Sequence, residues 1–99
     1  MSHRIRVVYC TQCAWMLRAA WVAQELLTTF QDELMGGGAT LVPGTGGIFE
    51  VYADDELVWS RKDDGGFPDI VALKRRVRDL IAPDRRLGHA DRAAGRPEA

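Results

Sequence analysis

Ninety-nine residues, 46% of them hydrophobic and 27% charged, suffice for one small domain with its own core, and they exclude a disordered or fibrous chain. Thirteen basic against fourteen acidic side chains leave a net charge of −1, so no overall field steers the molecule to nucleic acid. No apolar run approaches the roughly 18 residues of a membrane span, and MSHRIRVVY lacks the apolar core of a signal peptide. The expected setting is therefore cytoplasmic, with neither a membrane nor nucleic acid among the partners.

In chain order, Ile5–Tyr9 is short, β-branched and aromatic, and predicts a strand. From Thr11 or Gln12 to about Met35 no Gly or Pro intervenes. Ala20, Ala23, Leu27, Phe30 and Leu34 recur at spacings of three and four, with Cys13, Met16 and Leu17 extending the stripe upstream, which predicts one long helix. Gly36-Gly37-Gly38 ends it. Ala39–Val42 is a short strand closed by Pro43-Gly44-Thr45-Gly46-Gly47, a flexible turn. That turn lacks both the P-loop spacing and a following helix, so it is not a phosphate loop.

Ile48–Ala53 alternates, with Phe49, Val51 and Ala53 on one side and Ile48, Glu50 and Tyr52 on the other. Asp54-Asp55 turns the chain and Leu57–Ser60 returns as a hairpin partner. Arg61–Gly66 reads as loop. A second helical stripe follows at Ile70, Leu73, Val77, Leu80 and Ile81, with Lys74, Arg75, Arg76, Arg78 and Asp79 outside. Pro68 and Asp69 suit its first turn, and Pro83 stops it. The order is β-α-β-β-β-α, whose first three elements form a right-handed parallel crossover. Residues 1–83 make one α/β domain, and residues 84–99 are expected to be a flexible C-terminal tail.

Chemistry concentrates in VVYCTQC. On this reading Cys10 ends the first strand and Cys13 lies in the first helical turn, where sulfurs three residues apart are able to bridge. A helix N-terminus stabilises a thiolate and lowers the thiol pKa, which supplies the attacking species for disulfide exchange. Cys10, nearer the exposed helix end, is then the expected nucleophile and Cys13 the resolving thiol, with Arg18 a weak additional cation. Structural cysteines and a metal site remain as other readings. One zinc asks for four ligands, and the chain has two Cys and two His without finger-like spacing, so a metal reading needs a zinc-linked dimer. Tyr9, Trp15, Trp21, Trp59 and Phe67 are either core or a docking surface around the dithiol.

The chain is similar to the selenoprotein W-like group of the SelT/SelW/SelH (Rdx) family. The residues that carry the likeness are VVYCTQC with Arg18-Ala19, GIFEV at Gly47–Val51, and LVWSRKDDGGFPD at Leu57–Asp69. The resemblance implies a thioredoxin-like single domain with a mixed four-stranded sheet. It also implies a thiol–disulfide oxidoreductase or redox adaptor that works through Cys10 and Cys13 without an organic cofactor or metal. Its partners would be glutathione or protein thiols and disulfides. Many members have selenocysteine where Cys13 stands, which implies that Cys13 is the reactive sulfur and leaves the order of attack open. Pro68 does not match the cis-proline of thioredoxins. Docking would then fall to Thr11, Gln12, Trp15, Arg61 and Phe67. The alternative is a redox-sensitive protein-binding module with no turnover of its own.

Overall fold

The β-branched run IRVVYC forms β1 (Ile5–Cys10), which is hydrogen-bonded along both edges. In the computed structural model, which describes residues 2–88, β2 (Ala39–Gly44) runs parallel to β1, with Ile5 opposite Ala39 and Cys10 opposite Gly44. On its other side β3 (Phe49–Ala53) is antiparallel, and β4 (Glu56–Ser60) completes the hairpin beyond it. The sheet order is β2-β1-β3-β4, a mixed four-stranded sheet of thioredoxin-like topology. The parallel partner requires a crossover, and α1 (Met16–Thr29) supplies it. The single-turn α2 (Arg61–Asp64) and the longer α3 (Ile70–Ile81) follow β4.

Alternation decides which face is buried. Ile5 and Val7 of β1 and Phe49, Val51 and Ala53 of β3 share one core with Ala19, Val22 and Leu26 of α1, and with Leu73, Val77 and Ile81 of α3. Each Val, Leu, Ile or Phe among them contributes about 1.5–3 kcal/mol on burial. The other side of the sheet carries its polar groups among a few aliphatic ones such as Val8 and Leu57. Arg6 lies over the Tyr52 ring at 4.3 Å, and the Tyr52 hydroxyl donates to Glu50 at 2.7 Å. Both long helices therefore share one face, and the domain has two layers.

Several expectations change. The first helix is shorter than the Gly-free stretch, because Trp15 is its N-cap and Ala14 takes a positive φ of 59°. Cys13 thus lies in a turn before the helix. The buried stripe is also rotated. Ala19, Val22, Ala23 and Leu26 face the core, whereas Met16, Leu17 and Leu27 are exposed. Beyond Thr29 the chain turns without further α-helix, yet Phe30 and Leu34 remain buried, so the apolar spacing outlasts the helix. Lys74, expected outside, is 5% exposed because Glu25 of α1 pairs with its ammonium at 2.9 Å. Asp69 is the N-cap of α3 and accepts from the Ala72 amide, so Pro68 precedes the helix. The second strand extends two residues further, to Pro43 and Gly44.

Within the expected tail, Leu87 is buried and Arg85 pairs with Glu33 at 2.8 Å. Residues 89–99 of that tail, His89 among them, lie outside the described residues. Among the described residues no helix is long and apolar enough to cross a membrane.

Candidate functional site

The carboxyl ends of β1 and β2, the start of β3 and the end of β4 meet at one end of the sheet, and both cysteines lie there. Cys10 is fixed by the last β1 pairings and is 1% exposed, whereas Cys13, on the following turn, is half-buried. The expectation that Cys10 is the more exposed sulfur is reversed, because the strand carries it inward and the turn carries Cys13 out. The turn is closed by the Ala14 amide on the Thr11 carbonyl and the Trp15 amide on the Cys10 carbonyl. Thr11 anchors it to β2, since its amide and its hydroxyl both donate to the Gly44 carbonyl. Gln12 is exposed at the tip.

The Cys13 thiol donates to Cys10 Sγ at 2.6 Å. That hydrogen bond is the main reason the Cys10 thiol is held below its ordinary range. Burial opposes it, and the backbone N–H groups of Gly47, Cys13 and Gln12 reinforce it. The same bond pushes Cys13 up, helped by burial and by negative charge on Cys10, while the Gly47 N–H and the Arg61 guanidinium pull it back. The Cys10 acidity thus follows chiefly from the partner thiol, reinforced by loop amides. Arg18, the cation expected to help, lies over Phe67 at 4.1 Å, and the cation that acts on Cys13 is Arg61.

Arg61 is placed by a capped helical turn where the sequence predicts a loop. Ser60 caps α2 by accepting from the Asp63 amide, and Asp64 reaches back to the Ser60 amide at 2.9 Å, a reciprocal cap. Arg76 of α3 fixes Asp64 at 3.0 Å. The Trp59 indole then donates to the Gly66 carbonyl, so the chain turns and delivers Phe67 to the site. Phe67 packs edge-on against Trp15 at 4.8 Å and Phe49 at 5.2 Å, and Arg61 lies 4.9 Å from the Trp15 ring and 5.6 Å from Phe67. Trp15, Arg61 and Phe67 are thus brought together beside the sulfurs, with Thr11 and Gln12 on the adjoining turn. Tyr9 packs half-buried on the core, Trp59 is buried, and Trp21 is exposed one helical turn beyond Leu17.

The residue that sequence reasoning passed over is Gly47. It takes φ +76° and follows Gly46 at +75°, and its backbone N–H lowers both thiols. A signal was present in the sequence: two consecutive glycines stand directly before a strand that pairs with the one ending in Cys10. Among the described residues no three His, Cys, Asp or Glu side chains gather as a metal-binding set.

The Rdx family pattern matches residues 4–79. The crystal structure of a selenoprotein W-related protein from Vibrio cholerae is similar at 49% identity and a TM-score of 0.77, over 82% of this chain and 99% of that one. A crystal structure of a protein from Bordetella parapertussis is similar at 53% identity and a TM-score of 0.75, over 80% and 98%. No curated protein gave a significant match. The Cys-x-x-Cys pair at the end of the sheet, within this family pattern, is consistent with cysteine-based redox chemistry.

Proposed function

The chain belongs to the Rdx family, and from that premise we propose that it is a redox-responsive protein-binding module whose Cys10–Cys13 pair governs docking on Thr11, Gln12, Trp15, Arg61 and Phe67. The observation that carries this reading is the contact between a buried Cys10 and a half-exposed Cys13, directly beside Trp15, Phe67 and Arg61. Oxidation joins the two sulfurs and passes two electrons and two protons to a glutathione or protein disulfide, which becomes two thiols. It removes the S–H···S hydrogen bond and the thiolate charge, and it re-shapes the turn at Ala14 on which the docking residues border.

Alkylation and mass spectrometry across a glutathione redox series test the switch. The expected result is a reversible two-electron transition between roughly −180 and −280 mV. A pair that forms no internal disulfide, or one locked below about −300 mV, sinks it.

A second reading, a thiol–disulfide oxidoreductase with turnover, is favoured by the split in exposure between the two sulfurs. The reachable Cys13 sulfur, as thiolate, attacks a partner disulfide and one partner thiolate leaves. Cys10, next to it, then loses its proton, attacks Cys13 Sγ and frees the second, with the Gly47 and Gln12 backbone N–H groups still favouring its thiolate. Under this reading Cys10→Ser accumulates a mixed disulfide on Cys13. Full exchange activity in both single variants, Cys10→Ser and Cys13→Ser, would rule turnover out.

A further inference from the structure

Several charges elsewhere on the molecule are answered by neighbours: Arg4 by Asp55, Lys74 by Glu25, Arg76 by Asp64 and Arg85 by Glu33. Arg18 and Arg61 differ. Neither has a carboxylate partner among the described residues, and both guanidinium groups rest on the rings of the site, Arg18 on Phe67 and Arg61 on Trp15 and Phe67. A guanidinium stacked on a ring leaves its N–H edge available to a planar carboxylate.

Beside them the first two turns of α1 present large apolar groups to solvent. Leu17 is 80% exposed and Trp21, one turn on, 48%. With Ala14, Trp15 and Arg18 they line an open cleft of about 400 Å³ next to the dithiol turn. The core takes the opposite side of this helix, so Leu17 and Trp21 do not contribute to it, while Trp15 packs on its edge. Exposed apolar surface of this kind, rimmed by charge, marks a contact site.

We propose that the cleft and the two arginines together select an acidic–apolar segment of a partner protein. An aliphatic or aromatic side chain seats among Trp15, Leu17 and Trp21, and carboxylates on neighbouring residues are held by Arg18 and Arg61. This assignment rests on the binding-module reading for the location of the site and adds the chemistry of its partner. Charge complementarity settles the occupant. Two unanswered cations repel a basic segment, and a wholly apolar one would strip water from the guanidinium edges without replacing its hydrogen bonds.

The test uses three fluorescent peptides of equal length and without cysteine, each with a central Leu flanked by Glu, by Gln or by Lys. Binding to the full chain is read by anisotropy in the reduced and oxidised forms. The Glu peptide is expected to bind about tenfold tighter than the Gln peptide, with the Lys peptide weakest. Arg18→Gln and Arg61→Gln should each weaken the Glu peptide by about 3- to 10-fold and the Gln peptide by clearly less, whereas Leu17→Ser and Trp21→Ser weaken both alike. These are surface substitutions, and circular dichroism checks that the variants are folded.

Equal affinity for the three peptides, or none for any, overturns the proposal. So does displacement of the Glu peptide by reduced glutathione with no dependence on Leu17 or Trp21, which would give the arginines to a small anionic thiol. A concentration-dependent dimer abolished by Leu17→Ser would give the cleft to a second copy and overturn it as well. Selection of Glu over Lys that is identical in reduced and oxidised protein supports this docking assignment and overturns the redox gating proposed above.

Discussion

The two ends of the sheet solve the same problem in opposite ways. Each gathers strand ends, a turn and charged side chains. At the end away from the cysteines the charges are answered and the chain is closed over. His3 Nδ1 meets Asp54 at 2.8 Å, Arg4 meets Asp55 at 2.8 Å, and the Asp54 amide donates to the Arg4 carbonyl. Gly37 lies so near the His3 carbonyl that a Cβ there would stand 1.9 Å from its oxygen. At the dithiol end backbone N–H groups of the turns lower the Cys10 thiol, and Arg18 and Arg61 are stacked on rings with no carboxylate partner among the described residues. One end satisfies its polar groups internally, while the other holds the cationic, aromatic and thiol groups on which the proposed docking rests.

The largest effect is expected from breaking the closed end. Gly37→Ala forces a methyl against backbone, and overpacking of that kind costs about 1–3 kcal/mol. Urea unfolding should show the loss, while the Cys10–Cys13 reduction potential should move little if the ends are independent. A large shift in potential would show that they are coupled.

Next come the two thiols, read by the pH dependence of alkylation. Cys13→Ala removes the donor to Cys10, so the Cys10 profile should move to higher pH. Cys10→Ala relieves Cys13 of that bond and of the neighbouring charge, so the Cys13 profile should move to lower pH. Shifts in the same direction would contradict the assigned hydrogen bond. A smaller change is expected for Arg61→Gln, which removes a positive charge that pulls Cys13 down and should therefore raise it further.

The smallest effect returns to the closed end. The His3 hydrogen bond holds Asp54 below the ordinary value of 3.8. A carboxyl depressed in the folded state binds fewer protons there than when unfolded. Its contribution is therefore present above about pH 4 and is lost as pH falls through the folded pKa. With the Asp54 side chain 42% exposed, solvent screening limits the contribution to less than about 1 kcal/mol. The His3→Ala variant should accordingly lose less stability than the parent on acidification below about pH 4. Parallel curves for the two proteins would show that the contact contributes nothing.

The same contrast explains what could be read from the sequence. Strand alternation is a local property, and Phe49, Val51 and Ala53 face the core as their spacing predicts. The dithiol was legible because its two residues are adjacent to a strand end. The start of α1 was not, because Trp15 is not a capping residue type and no glycine marks the left-handed turn at Ala14. The apolar stripe misled because α1 is apolar on both sides, and periodicity alone does not say which side meets the sheet. Arg61 was singled out as a docking residue, but its placement depends on a reciprocal cap between Ser60 and Asp64 that a loop reading of RKDDGG passes over. Gly47 acts through its backbone amide, and a side-chain inventory is blind to it. Lys74 is buried only because Glu25, 49 positions earlier, lies across from it.

The two sulfurs differ in what the chain must do to move them. Cys10 ends the strand paired on both edges, whereas Cys13 sits on four residues of turn between that strand and a helix without a side-chain cap. Amide hydrogen exchange should accordingly divide at this point, with β1 protected to the level of global unfolding and residues 11–15 released by local opening. Local opening of that kind would present Cys13 to the outside without disturbing its neighbour, so that a mixed disulfide could form on a hinged arm while the rest of the domain remains at rest.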